Sequence, residues 1–202
     1  MANTFAPQGL LSYGGADGAA PTYGFKNAKI LYSNTEKIFY GDPVMLDTSG
    51  YVKQWDAGTG VSQMVGIFRG CKYYSLSNKQ TIFPNYWPGA DVATNAEIVA
   101  YIEPINTATP PMFLVQTANS NTTAVAVTQA DVGANADIAL GSGNTNNGMS
   151  TAYLDIHTFG TTATLPFRIV DIWKGVGNGS DAASAYNYVV VQANIYQETG
   201  LA

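Results

Sequence analysis

His157 is the single histidine of the 202-residue chain and the first candidate for acid and base chemistry. Along Tyr153–His157, strand alternation places Asp155 and His157 on the same face, away from the core. An aspartate there could orient the imidazole as in a catalytic triad, with Cys71 or Ser150 as the nucleophile. Because no G-x-S-x-G elbow is present, and such pairs are common on strands, we expect a structural or interface role and no enzyme.

Three oxygen-bearing side chains, Asp131, Asn135 and Asp137, could hold a calcium ion. They lack the D-x-[DN]-x-[DN]-G spacing and the closing glutamate of an EF-hand loop. Asp131 is explained more simply as the partner of Thr128 in the capping box of a short helical turn. Calcium remains a weak alternative, and we expect neither a metal ion nor another cofactor.

The glycines of Gly175-Val-Gly-Asn-Gly179 resemble a fragment of a dinucleotide-binding loop. No apolar helix follows them. Because Phe167–Ile172 before them and Tyr188–Val191 after them both have strand character, we interpret the glycines as part of a hairpin connection.

The charge content excludes several classes of partner. Only 11% of the residues are charged, against about 25% in an ordinary domain, and Lys plus Arg total 9 against 14 for Asp plus Glu. With a net charge of -5, the chain lacks the excess of basic residues that nucleic-acid-binding proteins use to contact phosphates, so we expect no nucleic-acid partner. Aromatic residues make up 12% of the chain, which excludes general disorder. Uncharged polar residues replace the missing charge, and they enter an interface without the desolvation cost of an ion.

The first residues have neither a basic region nor an apolar core of the kind found in secretory signals. No apolar run approaches the ~18 residues of a membrane helix. We therefore expect a soluble protein made in a cytoplasm, with no membrane partner.

Short β runs separated by Gly, Pro, Asn and Asp extend from residue 28 onward, whereas helical periodicity is nearly absent. This pattern predicts an all-β fold: a single barrel-like or sandwich domain, β-tulip-like or jelly-roll-like. Thr48-Ser49-Gly50 has the length and chemistry of a hairpin turn. The expected strands are Ala28–Ser33, Val44–Asp47, Tyr51–Trp55, Gln63–Phe68 continuing toward Cys71–Tyr74, Glu97–Ile102, Met112–Gln116, Tyr153–His157, Phe167–Ile172 and Tyr188–Tyr196.

The composition of residues 1–26 differs from that of the rest of the chain and predicts an extended N-terminal arm. A β-barrel-like binding domain is predicted to follow over residues 27–202. The stretch Gly14–Pro21 is built of small residues without periodicity. Spaced large side chains on both sides of it are predicted to anchor the arm in pockets of a partner, although a disordered terminus is an open alternative. These predicted interface residues are Phe5, Leu10, Tyr13, Tyr23 and Phe25.

Two aromatic patches offer a further surface. Tyr73 and Tyr74 are adjacent, and Tyr86 and Trp87 lie in a Pro-flanked loop. Such rings could stack on a sugar or insert into a protein pocket, which adds Tyr86 and Trp87 to the predicted interface residues, but filling of the core is an equal contender for Trp87.

The succession of short motifs between residues 28 and 196 resembles that of tailed-bacteriophage head decoration proteins, which cement capsids. The motifs are Gly41-Asp-Pro-Val44, Val65-Gly-Ile-Phe68 with Gly70-Cys-x-Tyr73, Tyr86-Trp-Pro88, Ile102-Glu-Pro104, Phe113-x-Val-Gln116, Asp131-Val-Gly-x-Asn-Ala-Asp137, Gly148-x-Ser150 before Leu154-Asp155, and Val189-Val-Val-x-x-Asn194.

This resemblance implies a structural virion protein on the outer capsid surface. Its partners would be the major capsid protein and further copies of itself, as dimers or trimers. The runner-up is a carbohydrate-binding or host-binding module of a phage tail or fibre, with Tyr73, Tyr74, Tyr86 and Trp87 as a stacking platform. A hydrolase using Asp155 and His157 is the third alternative.

Overall fold

The computed structural model of the chain describes residues 2–15, 24–56, 64–105, 110–121, 123–162 and 164–194. These ranges contain twelve strands, one 3-10 turn and no α-helix. The strands are β1 (Leu11–Gly15), β2 (Lys26–Ile30), β3 (Pro43–Leu46), β4 (Val52–Gln54), β5 (Met64–Ser75), β6 (Gln80–Ile82), β7 (Ile98–Pro104), β8 (Pro111–Ala118), β9 (Asn135–Ala139), β10 (Tyr153–Gly160), β11 (Phe167–Ile172) and β12 (Tyr188–Ala193). The 3-10 turn is η1 (Gln129–Asp131).

The strands fall into two compact units, each with its own sheet. Unit 1 and unit 2 are both discontinuous in sequence. Unit 1 comprises Met1–Pro21, Thr107–Gly141 and Thr151–Ile195, and unit 2 comprises Thr22–Asn106, Ser142–Ser150 and Tyr196–Ala202.

In unit 1, strand β8 has three neighbours. Its first half lies between β1 and β12, and its last residues, Thr117 and Ala118, pair in parallel with β10. From β10 the order continues through β9, β11 and β12 back to β8, so five strands form a closed ring. Closure leaves these five strands without an open edge. Apolar side chains such as Phe113, Leu154 and Phe167 are fully buried in this unit.

In unit 2, the long strand β5 pairs with β3 on one side and β7 on the other, and its end forms a hairpin with β6. The β3–β4 turn follows the expected chemistry: Asp47 Oδ1 accepts hydrogen bonds from the N–H groups of Ser49 and Tyr51, and Gly50 has φ +80°. The core of the unit consists of Ile30, Ile38, Val44, Val52, Phe68, Cys71, Tyr73, Trp87, Ile98, Ala100 and Ile102.

The predicted all-β character is confirmed. Strands β7 and β8 lie inside their sheets, as their apolar pattern predicted, and the capped turn at Thr128 is present as η1. Strands β1, β6 and β9 were not anticipated, because their runs are short and rich in small or polar residues. The division of the chain after residue 26 stays a prediction. The described part of the chain contains no helix long and apolar enough to cross a membrane.

Candidate interaction surfaces

The seven predicted interface residues have different environments. Phe5, Tyr13 and Phe25 are about half exposed, at 47%, 49% and 49%. Leu10 is fully buried in unit 1, so its side chain has no surface to offer a partner in this structure. Tyr23 lies outside the described residues.

Trp87 and Tyr86 pack within unit 2. Trp87 is fully buried, its indole N–H donates to the carbonyl of Asn34 at 3.2 Å, and its ring meets Tyr73 edge-on at 5.3 Å. The half-buried Tyr86 ring stacks on Phe39 with centroids 5.3 Å apart and only 5° between the planes. Of the two possibilities left open for Trp87, the structure therefore describes core filling.

The four aromatic side chains of the carbohydrate alternative do not share an exposed face. Tyr73 and Trp87 are buried and Tyr86 is half-buried, whereas Tyr74 is 51% exposed. A stacking platform made of all four rings is therefore not assembled.

A different surface is formed by the β5–β6 hairpin of unit 2. Along β5 and into the turn, Lys72, Tyr74 and Leu76 alternate with buried residues and point outward, and Phe83 lies just after β6. Tyr74, Leu76 and Phe83 are 51%, 50% and 66% exposed. The Lys72 ammonium lies 5.8 Å from the centre of the Phe83 ring. We call Lys72, Tyr74, Leu76 and Phe83 the hairpin face.

The turn next to the hairpin face is held by Asp91. Its carboxylate accepts hydrogen bonds from the Ser75 hydroxyl at 2.5 Å and from the backbone N–H of Ser77 at 2.8 Å. These bonds lower the pKa of Asp91, with that from Ser75 contributing most. A fixed turn lets the exposed rings meet a partner without a large ordering cost. The alternation of Lys72, Tyr74 and Leu76 was the sequence signal for this face.

The candidate catalytic pair is not arranged as a dyad. Asp155 was expected on the outward face, but it is only 7% exposed. Ser120 donates both its backbone N–H and its hydroxyl to this carboxylate, which offsets the cost of burying it. Asp155 also accepts the backbone N–H of His157 at 3.0 Å. The exposed imidazole lies with Nε2 3.5 Å from the amide nitrogen of Asn121. The carboxylate thus organises the local backbone rather than the imidazole.

The two candidate nucleophiles are buried in unit 2. Burial raises the pKa of the Cys71 thiol to about 12, so it stays protonated at neutral pH and is a poor nucleophile. Ser150 is 1% exposed and donates its hydroxyl to Asp42 Oδ1 at 2.5 Å. Neither side chain can reach a substrate in this structure.

The three oxygen ligands considered for calcium have separate partners. Asp131 accepts the N–H and hydroxyl of Thr128, as the capping-box prediction required. The side-chain oxygen of Asn135 accepts from the side-chain amide of Asn194, and the Asp137 carboxylate accepts the N–H of the next residue. Among the residues that the structure describes, no three His, Cys, Asp or Glu side chains come together as metal ligands.

A cleft of about 200 Å³ lies beside β2 in unit 2. Tyr32 and Tyr51 contribute two partly exposed rings to its lining. At its rim, Lys29 Nζ and Glu97 Oε1 form an exposed ion pair at 2.9 Å. Aromatic faces beside hydrogen-bonding groups are the chemistry that binds polar ring compounds such as sugars.

Comparison of the chain with known protein families, with curated proteins and with solved structures finds no match in any of the three.

Proposed function

We propose that this chain decorates the outer surface of a phage capsid and cements neighbouring major capsid subunits. The observation that carries the proposal is the hairpin face, which holds three large, exposed side chains on one hairpin whose turn is held by Asp91. Contiguous exposed apolar side chains on a globular protein typically mark a protein interaction site. The succession of decoration-protein motifs and the low charge content support the same function.

Three of the motif residues have roles in the fold of unit 2. Asp42 accepts the backbone N–H of Phe39 inside the turn that precedes β3. Gly70 adopts φ +121° at a β-bulge, where a Cβ would come within 3.0 Å of the Pro84 carbonyl oxygen. Trp87 fills the core. These motif residues therefore have roles within unit 2, and the hairpin face supplies the exposed surface that the proposal needs.

A decoration protein need not bind tightly at any single contact. Tyr74 and Phe83 are 51% and 66% exposed. Burying about 100 Å² of each side chain at about 25 cal/mol/Å² gives about 2.5 kcal/mol per side chain before ordering costs. Many copies on one shell, each able to associate with its neighbours, turn such modest contacts into stable attachment.

The test is co-sedimentation with capsid shells assembled from the major capsid protein encoded by the same genome. We expect the wild-type chain to pellet with these shells. The double variant Tyr74→Ser with Phe83→Ser should bind at least about tenfold more weakly, as expected from about 1.4 kcal/mol or more of lost contact energy. Equal binding of the double variant would exclude the hairpin face.

A matched control separates the hairpin face from general surface hydrophobicity. Val125 and Val176 are exposed apolar residues of unit 1, at 61% and 97%. Val125→Ser with Val176→Ser removes two apolar side chains from elsewhere and should leave shell binding unchanged. A loss as large as that of the hairpin variant would contradict a specific role for the hairpin face.

The carbohydrate-binding alternative is favoured by one observation, the cleft lined by Tyr32 and Tyr51. A sugar bound there would perturb both rings. Titration with a panel of hexoses, followed by NMR of tyrosine-labelled protein, should show no saturable shift if the chain is a decoration protein. A saturable shift that disappears in Tyr51→Ala would favour the carbohydrate alternative.

A further inference from the structure

Residues 3–15 form a segment, here called the N-terminal segment, that is bound along unit 1 rather than standing free. Asn3 fixes its start. The Asn3 amide donates to the carbonyl oxygens of Asp181 (2.8 Å), Ser184 (3.3 Å) and Ala185 (3.1 Å), and its own oxygen accepts the N–H groups of Gly179 and Asp181. One side chain thereby joins the segment to a whole loop.

Two amide side chains hold the backbone of the N-terminal segment from either side. Gln116 is fully buried; its oxygen accepts the N–H of Ala6, and its nitrogen donates to the carbonyl oxygens of Thr4 and Tyr186 at 2.8 and 2.9 Å. Asn178 accepts the N–H of Thr4 at 2.7 Å and donates to its carbonyl at 2.9 Å. The segment is therefore recognised mainly through its main chain.

Apolar contacts and strand pairing complete the binding. The Phe5 ring lies 5.5 Å from Tyr153 and 5.4 Å from Tyr186, Leu10 is fully buried, and β1 pairs with β8. Tyr186 adopts φ +62°, an uncommon backbone conformation for a bulky residue, beside this contact. We call the residues that receive the segment the acceptor groove, and they are Gln116, Tyr153, Asn178, Tyr186 and the β8 residues 111–114.

The N-terminal segment is not joined to the residues of the acceptor groove by a short stretch of chain. The chain passes from unit 1 to unit 2 after Pro21, and unit 1 resumes only at Thr107. Residues 16–23 join β1 to the residues before β2, and a stretch of this length can span at most about 30 Å. The contacts in the groove are hydrogen bonds between uncharged groups, strand pairing, burial of Leu10 and ring contacts. An identical segment from another copy can make every one of them.

We propose that the acceptor groove of one copy receives the N-terminal segment of a second copy, so that copies of the chain associate by exchanging this segment. The inference rests on the proposed function for its setting at a capsid surface, and it deepens that function by naming the surface through which copies join. Own and exchanged segments make the same contacts, so concentration decides between them. Exchange is therefore favoured at high protein concentration and between close neighbours on a shell.

The test is disulfide trapping between two singly substituted chains. Leu11 and Leu114 are register partners on β1 and β8, and facing Cα atoms of antiparallel strands lie at distances that a disulfide spans. One chain carries Leu11→Cys and the other Leu114→Cys, both with Cys71→Ala to remove the native thiol. Mixing and oxidation should give a covalent heterodimer on a non-reducing gel, in a yield that rises with protein concentration.

Two controls make the result decisive. Leu11→Cys mixed with Val125→Cys, an exposed position outside the groove, should give no more than the low background of random collision. The double variant Leu11→Cys with Leu114→Cys in one chain should form an internal disulfide in dilute solution, which verifies the register. An internal disulfide in the double variant, without a heterodimer above background at any concentration of the mixed chains, would overturn the proposal.

A second pair and an unmodified sample guard against a variant that fails to fold. Thr4→Cys and Asn178→Cys join the same segment and groove at another point, where the two native residues are hydrogen-bonded, and should give the same heterodimer. Sedimentation velocity of the unsubstituted chain should show association that increases with concentration. A monomer throughout would contradict exchange. These measurements use no capsid, so their failure leaves shell binding through the hairpin face to be decided separately.

Discussion

Replacing Asp42 by Asn is expected to change how the stability of unit 2 depends on pH. Asp42 is 1% exposed, and burial raises the pKa of its carboxyl from 3.8 to about 6, against the opposing effect of hydrogen bonds from Ser150, Phe39 and Gln54. The folded chain thus holds a proton at this carboxyl more tightly than the unfolded chain does. The contribution of Asp42 to stability is therefore highest below the unfolded pKa and falls as the pH rises through the folded pKa.

The size of this effect follows from the pKa shift. A shift from 3.8 to about 6 corresponds to about 3 kcal/mol at about 1.4 kcal/mol per unit. Asn is the matched replacement for Asp42: its carbonyl oxygen can accept from Phe39 and Gln54, and its NH2 can donate to the Ser150 oxygen. Because Asn does not ionise, the variant does not lose this stability as the pH rises.

The assay compares wild type and Asp42→Asn by urea unfolding between about pH 4 and about pH 7. Both proteins carry Trp173→Phe, which leaves Trp55 and Trp87 of unit 2 as fluorescent probes. Comparison with the variant also cancels the pH-dependent contributions of Asp91 and Glu97 to stability, which have the opposite sign because the pKa values of these two carboxyls are lowered.

We expect the free energy of unfolding of Asp42→Asn to rise relative to that of wild type by about 2 kcal/mol across this pH range, because Asp42 is already partly ionised in the unfolded chain at pH 4. Parallel pH profiles would show that Asp42 titrates equally in the folded and unfolded chains. A wild type that gains stability over the variant with rising pH would show that the three hydrogen bonds outweigh burial. Either result would refute the reasoning.

Two further predictions concern the cores of the units. Arg69 and Glu103 form a buried ion pair in unit 2, with Nη2 and Oε2 2.6 Å apart. Arg69→Met alone should lower the free energy of unfolding by about 3 to 5 kcal/mol, because it leaves the buried Glu103 carboxylate without this partner, whereas Arg69→Met with Glu103→Met should lower it much less. Chemical denaturation measures both, and a double variant whose loss is the sum of the single losses would contradict this prediction. Leu10→Ala should lower the free energy of unfolding of unit 1 by about 2 to 5 kcal/mol, because it removes a buried side chain. The control Val176→Ala, at an exposed position, should change it by less than about 0.5 kcal/mol. Equal effects of the two variants in thermal unfolding would show that Leu10 contributes no core packing.

The sequence predicted those elements whose signals are local. The apolar runs of β7, β8 and β11 and the Asp47 turn each depend on residues within a few positions of one another, so alternation and turn chemistry were sufficient. The capping box of η1 was predicted for the same reason, because Thr128 and Asp131 lie one turn apart.

Features that depend on distant residues could not be predicted in this way. Gln116 binds Thr4, 112 positions earlier in the chain, and no local pattern marks a glutamine in a strand as the anchor of another segment. Asp155 was expected to face outward because strand alternation assigns polar residues to the exposed face. In the structure, two hydrogen bonds from Ser120 offset the cost of burying its carboxylate. Leu10 was interpreted as an anchor for a partner, whereas its own unit buries it.

The most direct test of capsid decoration is the number of copies of this chain that bind a purified shell of the major capsid protein encoded by the same genome. Binding should saturate at a fixed ratio to the capsid subunits, with copies imaged over the whole outer surface. Tyr74→Ser with Phe83→Ser should shift saturation to at least about tenfold higher concentration. Absence of binding, or attachment of a few copies at a single vertex, would contradict the proposal.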